Sequence, residues 1–382
     1  YLKGGSVYMG KERAGIEPLL MSTAVHGTET WNQAELAPHM DSFGFDFKIE
    51  STYDYSGLTA SFKATDLERA WSLFSDIILH PRLDPTAVEL ERKRLLTSLE
   101  QAGLQNESEA DRLAIGLFYK RHSYSHNPRG SKRTIADFTR RDLIQYQHGD
   151  IAKNRALLVV IGDLDIKELT IRCRSLAKQM PLGPELLPSS LTFDPGEPEL
   201  RATRRSGRYT YVTGLCPAPR PGHAEYPAFL MAMDVLRDGL QLELTEQRID
   251  AIELTAGVGF NFFNHGYIRL ISRRPDDVIR KVYDLVDKLI DDPLPEERVA
   301  GLGRAAVIRH YLQRESSGGH LRQLARWELV GDGWEQADQF PEEPGLVRPE
   351  QIQHVLRKYF KKLHFGAVGN PANISRRLFT SR

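Results

Sequence analysis

One short segment combines histidine and glutamate in a pattern that could begin a zinc site: residues 26–29, with the sequence H-G-T-E. A catalytic zinc site on a helix needs two histidines at positions i and i+4, so that both imidazoles point at one ion. It also needs a glutamate beside the metal-bound water to act as general base. Thr30 stands where the second histidine would be, and Gly27 interrupts the helix. The segment is therefore predicted to be a surface turn.

The other potential metal ligands are isolated in the sequence. Neither H-x-x-E-H nor H-E-x-x-H occurs anywhere. Histidines without a neighbour of the right kind three or four residues away occur at His122, His126, His223 and His320. Such histidines are more typical of exposed or hydrogen-bonding core positions. Cys173 and Cys216 lie in different halves of the chain and are predicted to be reduced packing residues.

Length and charge restrict the class of protein. A chain of 382 residues is too long for one ordinary core and suits two domains of about 190 residues each. Lys and Arg number 51, as do Asp and Glu, which argues against a nucleic-acid partner. The basic runs at 201–208 and 357–362 are predicted to be solvated faces and linkers. No stretch approaches the ~18 apolar residues of a membrane span, so no transmembrane segment is expected.

The elements that would position a site follow one plan that occurs twice, about 210 residues apart. Each half has a strand, a helix, two paired strands and then two helices, the second of them long. In the first half these fall at 1–2, 16–25, 45–51, 56–64, 67–79 and 86–104. In the second half they fall at 209–215, 224–236, 255–261, 266–272, 276–290 and 296–312. Strands are predicted late in each half, at 156–162 (buried) and 364–368.

The predicted boundaries are an N-terminal domain at 1–182, a Pro- and Gly-rich linker at 183–206, and a C-terminal domain at 207–382. Each half mixes strands and helices. This pattern predicts an α+β fold with helices on one face of each sheet.

Several short segments, in this order and spacing, carry a family resemblance. They are Gly4-Gly5-Ser6, Ala14-Gly15, Gly27-Thr28, residues 154–162, Gly214 and residues 324–334. With the duplicated plan, the chain resembles the pitrilysin/insulinase family of inverted-motif zinc peptidases, which includes the mitochondrial processing peptidase. The resemblance implies two tandem homologous domains of the LuxS/processing-peptidase type, each a mixed or antiparallel sheet with helices packed on one face.

Active members of that family carry H-x-x-E-H on the first helix and a third zinc ligand, Glu, on the later long helix. Gly15 and Gly27-Thr28 align with the family without a gap. The resemblance then places Pro18 and Ser22 at the two histidine positions, Met21 at the catalytic glutamate and Ser98 near the third ligand. Proline and methionine offer no suitable hard donor, and a neutral serine is a poor zinc ligand. The sequence therefore predicts no metal, no catalytic residue and no cofactor, although active relatives hold zinc.

The family's second domain supplies an Arg and a Tyr, seven residues apart, that bind the substrate backbone. The best frame places Arg248 and Thr255 at these positions, and a frame three residues earlier gives Thr245 and Ile252. The Tyr is absent in either frame. Arg248 is a candidate substrate contact, and a solvated helix residue is an equal alternative.

Three functions remain compatible with the sequence. The first is an inactive subunit that forms half of a clam-shell chamber and pairs with an active H-x-x-E-H subunit, or with itself, to bind peptide. The second is a structural subunit without peptide binding, like the core subunits of the respiratory cytochrome bc complex. The third is an active peptidase with relocated ligands. A soluble protein of the bacterial cytoplasm or periplasm is expected. The compartment stays open because residues 1–3 read as the middle of a strand.

Overall fold

A computed structural model of the chain describes residues 1–184, 193–246 and 250–381. The chain forms two compact units, and both are discontinuous in sequence. The first unit contains Tyr1–Gln101 and His126–Leu191, and the second contains Ala102–Ser125 and Thr192–Arg382. A segment in the N-terminal half of the sequence therefore belongs to the second unit.

The N-terminal half of the sequence contains short strands, followed after Ser61 by a run of helices. Its elements are β1 (Leu2–Lys3), α1 (Gly5–Arg13), α2 (Ile16–Ala24), α3 (Gln33–Ser42), β2 (Asp46–Ser51), β3 (Tyr55–Ser61), α4 (Leu67–Leu79), α5 (Pro85–Leu104), α6 (Asn106–Phe118), α7 (Lys132–Asp137), α8 (Arg140–Asp150) and α9 (Ile166–Gln179). The first unit takes all of them except α6 and the last residues of α5.

The sheet of the first unit has the order β1-β3-β2 and is antiparallel. Helices α3 and α4 pack against it, and Leu36, Leu73 and Ile77 share a buried apolar cluster with side chains of β2 and β3. Asn32 begins α3 with a capping box, in which its side chain accepts from the backbone N–H of Glu35 and the Glu35 carboxylate accepts from the Asn32 N–H. Local capping and an apolar face thus agree in fixing this layer.

The second unit continues with β4 (Leu200–Arg204), β5 (Thr210–Pro217), α10 (Tyr226–Thr245), β6 (Ala251–Val258), β7 (His265–Ser272), α11 (Pro275–Asp291), α12 (Glu296–Gln313), α13 (Ser317–Val330), α14 (Gln336–Gln339), α15 (Pro349–Tyr359), β8 (His364–Gly369) and α16 (Arg376–Phe379). Its sheet has the order β4-β8-β5-β7-β6. The β4–β8 pair is parallel and the other pairs are antiparallel.

Strand β8 shows how both faces of this sheet are covered. Because side chains alternate along a strand, Phe365 and Ala367 pack in the main apolar core with α10, α11 and α15. Val368, on the other face, packs against Ala110 and Leu113 of α6. Glycine is required at 366, since a Cβ there would lie 2.5 Å from the backbone nitrogen of Ala114. Helix α6 therefore rests directly on the strand backbone.

The duplicated plan and the α+β class predicted from the sequence are confirmed. Helices α2 and α10, α4 and α11, α5 and α12, and α8 and α15 begin between 208 and 211 residues apart. The second unit adds one feature to the prediction, because α6 covers the sheet face that α10 does not.

Some predicted elements were wrong or missed. The buried strand predicted at 156–162 does not form, and in this segment only Ala156 makes an isolated bridge, with Leu2. The available partner strand, β1, has two residues and cannot pair with a longer segment, so Leu158 is exposed. Helices α1 and α6 were missed. Strand β4 lies inside the predicted linker 183–206, of which residues 185–192 lie outside the described part of the chain.

Candidate functional site

Helix α2 carries three of the four positions aligned with the family's metal site. It begins after Gly15, whose φ of 95° is in the left-handed region, and a Cβ there would lie 2.8 Å from the Cα of Gly130. Pro18 is buried in the first turn, where a proline is tolerated, and Met21 is half-buried. The Ser22 hydroxyl donates a hydrogen bond to the Leu19 carbonyl at 3.2 Å. The Ser22 side chain is therefore engaged with its own helix.

The fourth position lies on α5. The Oγ of Ser98 accepts a hydrogen bond from Nη2 of Arg129 at 2.7 Å. Helices α2 and α5 share an apolar cluster that includes Leu19, Leu20 and Val88, with Leu95 packed against it. The helices aligned with the metal-binding pair are therefore neighbours, although the residue-by-residue frame stays a prediction.

The residues present do not fit a zinc ion. A proline ring, a thioether and two hydroxyls, one of them beside a guanidinium, provide neither imidazole nor carboxylate at these positions. No group of three or more His, Cys, Asp or Glu side chains arranged to hold a metal occurs in residues 1–184, 193–246 and 250–381.

His26 and Glu91 are the nearest approach to metal-site chemistry. Nε2 of His26 lies 2.8 Å from Oε1 of Glu91, and Arg94 donates to the same oxygen at 2.5 Å. Burial alone would raise the pKa of Glu91, but the bond to His26 and the charge of Arg94 outweigh it and hold this pKa below its usual value. A turn is present after α2, but Gly27-Thr28 is buried, so the prediction that residues 26–29 form a surface turn is wrong in their exposure. The segment joins α2 to α5 through the hydrogen bond between His26 and Glu91 and presents no open ligand set.

A buried ionic network beside these positions was missed in the sequence. Arg155 and Glu17 are both 0% exposed, and Nη2 of Arg155 donates to Oε1 of Glu17 at 2.8 Å. Tyr146 donates to the same carboxylate oxygen at 2.6 Å. Burial first, and then the Glu17 charge, raise the pKa of Tyr146. The Arg155 guanidinium also lies 3.8 Å from the centroid of the Tyr8 ring. Glu17 precedes Pro18, so this network anchors the start of α2.

The structure describes only part of the candidate substrate contact in the second domain. Arg248 lies outside the described residues. Thr255 lies on β6, half-buried and opposite Arg269 of β7. In the alternative frame, Thr245 is the last residue of α10, and Ile252 lies exposed at a bulge in β6. A substrate contact by Arg248 and Thr255 therefore stays a prediction.

The remaining histidines and the cysteines have local roles. The prediction that His122 and His126 lack a neighbour at helical spacing overlooked that they are four residues apart. They do not share a helical turn, because Ser123–Ser125 is a 3-10 helix and Nδ1 of His122 accepts from the backbone N–H of Tyr124 at 3.2 Å. Cys173 and Cys216 are free thiols, and burial raises the pKa of Cys216 to about 12. In the described parts of the chain, no helix is both long and apolar enough to cross a membrane.

The chain is similar to known proteins along its whole length. Residues 1–120 match the family model of insulinase, peptidase family M16. An uncharacterized zinc protease of Mycobacterium tuberculosis is 21% identical over 397 residues, which cover 98% of this chain and 88% of the relative.

Two solved structures share the fold. The peptidase M16 inactive domain from Pseudomonas fluorescens has a TM-score of 0.86 and 17% identity, over 97% of this chain and 91% of that one. A chain of complex III2 from Candida albicans has a TM-score of 0.82 and 10% identity, over 100% of this chain and 92% of that one. The resemblance inferred from the sequence is therefore confirmed: residues 1–120 match the insulinase family model, and a zinc protease relative and a peptidase M16 inactive domain are similar to nearly the whole chain.

Proposed function

We propose that this chain is a catalytically inactive, peptidase-like subunit that forms half of a peptide-holding chamber beside an active H-x-x-E-H subunit. One observation carries the proposal: the fold of the peptidase family is retained over the whole chain, while Pro18, Met21, Ser22 and Ser98 offer no zinc-binding set. A fold that keeps its shell without its metal can still enclose and orient a peptide.

The contacts around α2 support a stable scaffold role. Glu17 and Arg155 hold the start of the helix, and the pair of His26 with Glu91 ties its end to α5. Such bonds keep the two helices in place without a metal bridging them. A subunit of this kind supplies wall surface, and its partner supplies the zinc-dependent chemistry.

A structural subunit without peptide binding is the second candidate. The observation that favours it is the similarity to a complex III2 chain from Candida albicans, which covers 100% of this chain at a TM-score of 0.82. A stable homodimer that binds no peptide, alone or with any H-x-x-E-H chain, would favour this function over the first.

The deciding experiment measures zinc content and peptide hydrolysis for the purified chain, alone and co-expressed with a neighbouring-gene H-x-x-E-H protein. We expect no zinc in the isolated chain, a stable complex with the partner, and hydrolysis only in that complex. About one zinc per isolated chain, removed by a chelator with loss of hydrolysis, would establish an active peptidase with relocated ligands instead.

A further inference from the structure

The second unit contains a cavity of about 570 Å³ between the start of α10, the C-terminal half of α12, and α13. Helices α10 and α12 are the second copies of α2 and α5, the pair that carries the altered metal positions in the first unit. The cavity is therefore built on the repeated counterpart of the peptidase site. Its volume lies in the range of sites for small organic ligands.

The lining of this cavity is cationic and contains no aspartate or glutamate. Its three arginines are Arg309, Arg322 and Arg326. Arg309 is neutralised by the buried Asp234, which it meets at 2.9 Å. Within the described chain, neither Arg322 nor Arg326 forms an ion pair. Two arginines thus line the cavity without a carboxylate partner in the described residues, and a guanidinium can bind a carboxylate through two parallel hydrogen bonds.

Buried polar atoms in the cavity wall also lack partners. His310 is 5% exposed, and its Nδ1 lies 2.9 Å from Nε2 of Gln323. Nε2 of His310 and Oε1 of Gln323 are buried and meet no partner at hydrogen-bonding geometry in the described residues. An unsatisfied buried polar group costs about 1–3 kcal/mol. These two atoms are closed to solvent and therefore lie behind the cavity surface, where a ligand would not reach them.

Part of the cavity wall is aromatic. Trp327 and Phe340 are buried and lie with ring centroids 5.3 Å apart, and Phe260 meets Trp327 edge to face at the same distance. The guanidinium of Arg326 lies 4.3 Å from the Phe260 centroid, which fixes its plane. The cavity therefore combines apolar surface with two available cationic groups, and this combination suits an apolar residue beside a carboxylate better than a small inorganic anion.

We propose that this cavity binds a carboxylate of a peptide, with Arg322 and Arg326 as the anion-binding residues and the aromatic wall holding the adjacent apolar side chain. This inference rests on the proposed peptide-holding function and specifies its substrate class. The carboxylate can come from an acidic side chain or from the peptide C-terminus, and both offer the same group to the two arginines.

The test uses the full-length chain and fluorescein-labelled hexapeptides that contain a central Phe-Glu pair, measured by fluorescence polarisation. One peptide has a free C-terminus, a second is C-terminally amidated, and a third is amidated with Gln in place of Glu. We expect the first two to bind and the third to bind at least tenfold more weakly. If only the free-acid peptide binds, the carboxylate is that of the C-terminus. If all three bind equally, the proposed recognition of a carboxylate is wrong.

The site itself is tested with the double variant Arg322→Gln/Arg326→Gln, for which we expect at least a tenfold loss of binding to the acidic peptide. Arg304→Gln is the matched control, because Arg304 is an exposed arginine of α12 outside the cavity lining. Arg304→Gln should bind the acidic peptide with the affinity of the unmodified chain. A melting temperature within 2 °C of that of the unmodified chain, which corresponds to a change of about 1 kcal/mol or less in the free energy of unfolding, will show that each variant is folded.

Two results overturn the inference in different ways. Unchanged binding of the acidic peptide by the double variant would place the peptide elsewhere and leave the proposed function intact. Binding of no peptide, with or without the H-x-x-E-H partner, would remove both the inference and the proposed function. Displacement of the peptide by inorganic phosphate at equal concentration would show a general anion site and would also overturn the inference.

Discussion

Replacement of Arg155 by methionine tests whether the buried network holds the first unit together. The guanidinium donates to Glu17 at 2.8 Å, to the Lys3 carbonyl at 3.1 Å and to the Asp150 carbonyl at 2.8 Å. Without the guanidinium, the Glu17 carboxylate, which is 0% exposed, has no cation beside it. Oε2 of Glu17 already lacks a hydrogen-bond partner among the described residues. Breaking one side of a buried ion pair costs about 3–5 kcal/mol.

This cost corresponds to a fall of about 10 °C in the melting temperature of a unit of this size, at roughly 2–4 °C per kcal/mol. The assay is thermal and urea unfolding followed by circular dichroism, with the transition of the first unit analysed separately. Arg13→Met is the control, because Arg13 pairs with Asp150 while its side chain is 42% exposed. An exposed pair contributes ~0–1 kcal/mol, so the control should unfold close to the unmodified chain.

A double-mutant cycle gives the sharper result. Glu17→Gln removes the charge of the carboxylate but keeps an acceptor for the Tyr146 hydroxyl. The double variant Glu17→Gln/Arg155→Met should therefore recover about 2 kcal/mol of the free energy of unfolding relative to Arg155→Met alone. If the two single losses simply add, or if Arg155→Met costs less than about 1 kcal/mol, the pair is not coupled and the network does not anchor α2.

Three further predictions concern the metal frame, a buried histidine and a strand glycine. The combined substitutions Pro18→His, Met21→Glu, Ser22→His and Ser98→Glu should give about one zinc per chain by elemental analysis; a folded variant without zinc would reject the alignment frame. Burial lowers the pKa of His265 to about 4. Below pH ~6.5 the His265 side chain is protonated in the unfolded chain but stays neutral in the folded one. The free energy of unfolding should therefore fall by about 2 kcal/mol from pH 7 to pH 5. Urea titrations of the His265→Gln variant should show a smaller loss of stability between pH 7 and pH 5. An unchanged loss would show that other groups cause it. Gly366→Ala should destabilise the second unit by ~1–3 kcal/mol because α6 must move away, whereas Gly116→Ala, on the exposed side of α6, should be neutral or stabilising in the same titration.

Local patterns were sufficient for much of the fold. The helix predicted at 67–79 has the observed bounds of α4, and the helix predicted at 296–312 differs from α12 by one residue. Helix α6 could also have been found, because Ala110, Leu113, Ala114 and Leu117 have helical spacing. The apolar run at 157–161 misled the prediction, since hydrophobicity alone does not provide a partner strand.

The candidate site was predictable only in part. Gly15 and Gly27-Thr28 gave the alignment with the family that places Pro18 and Ser22 at the histidine positions and Met21 at the catalytic glutamate. The network of Glu17 and Arg155 could not be found in the same way, because its members are 138 residues apart and no local pattern links them. The cationic cavity likewise depends on side chains from three helices, whose faces are set by tertiary packing.

The position of α6 has a consequence for synthesis. The helix ends at Phe118, but β8, the strand beneath it, is not complete until Gly369. At roughly 5–20 residues per second, the ribosome needs about 12–50 s to make the intervening chain. During that interval the part of the apolar face of α6 that packs on β8 is uncovered, so this helix is exposed to chaperones and proteases until β8 has been made.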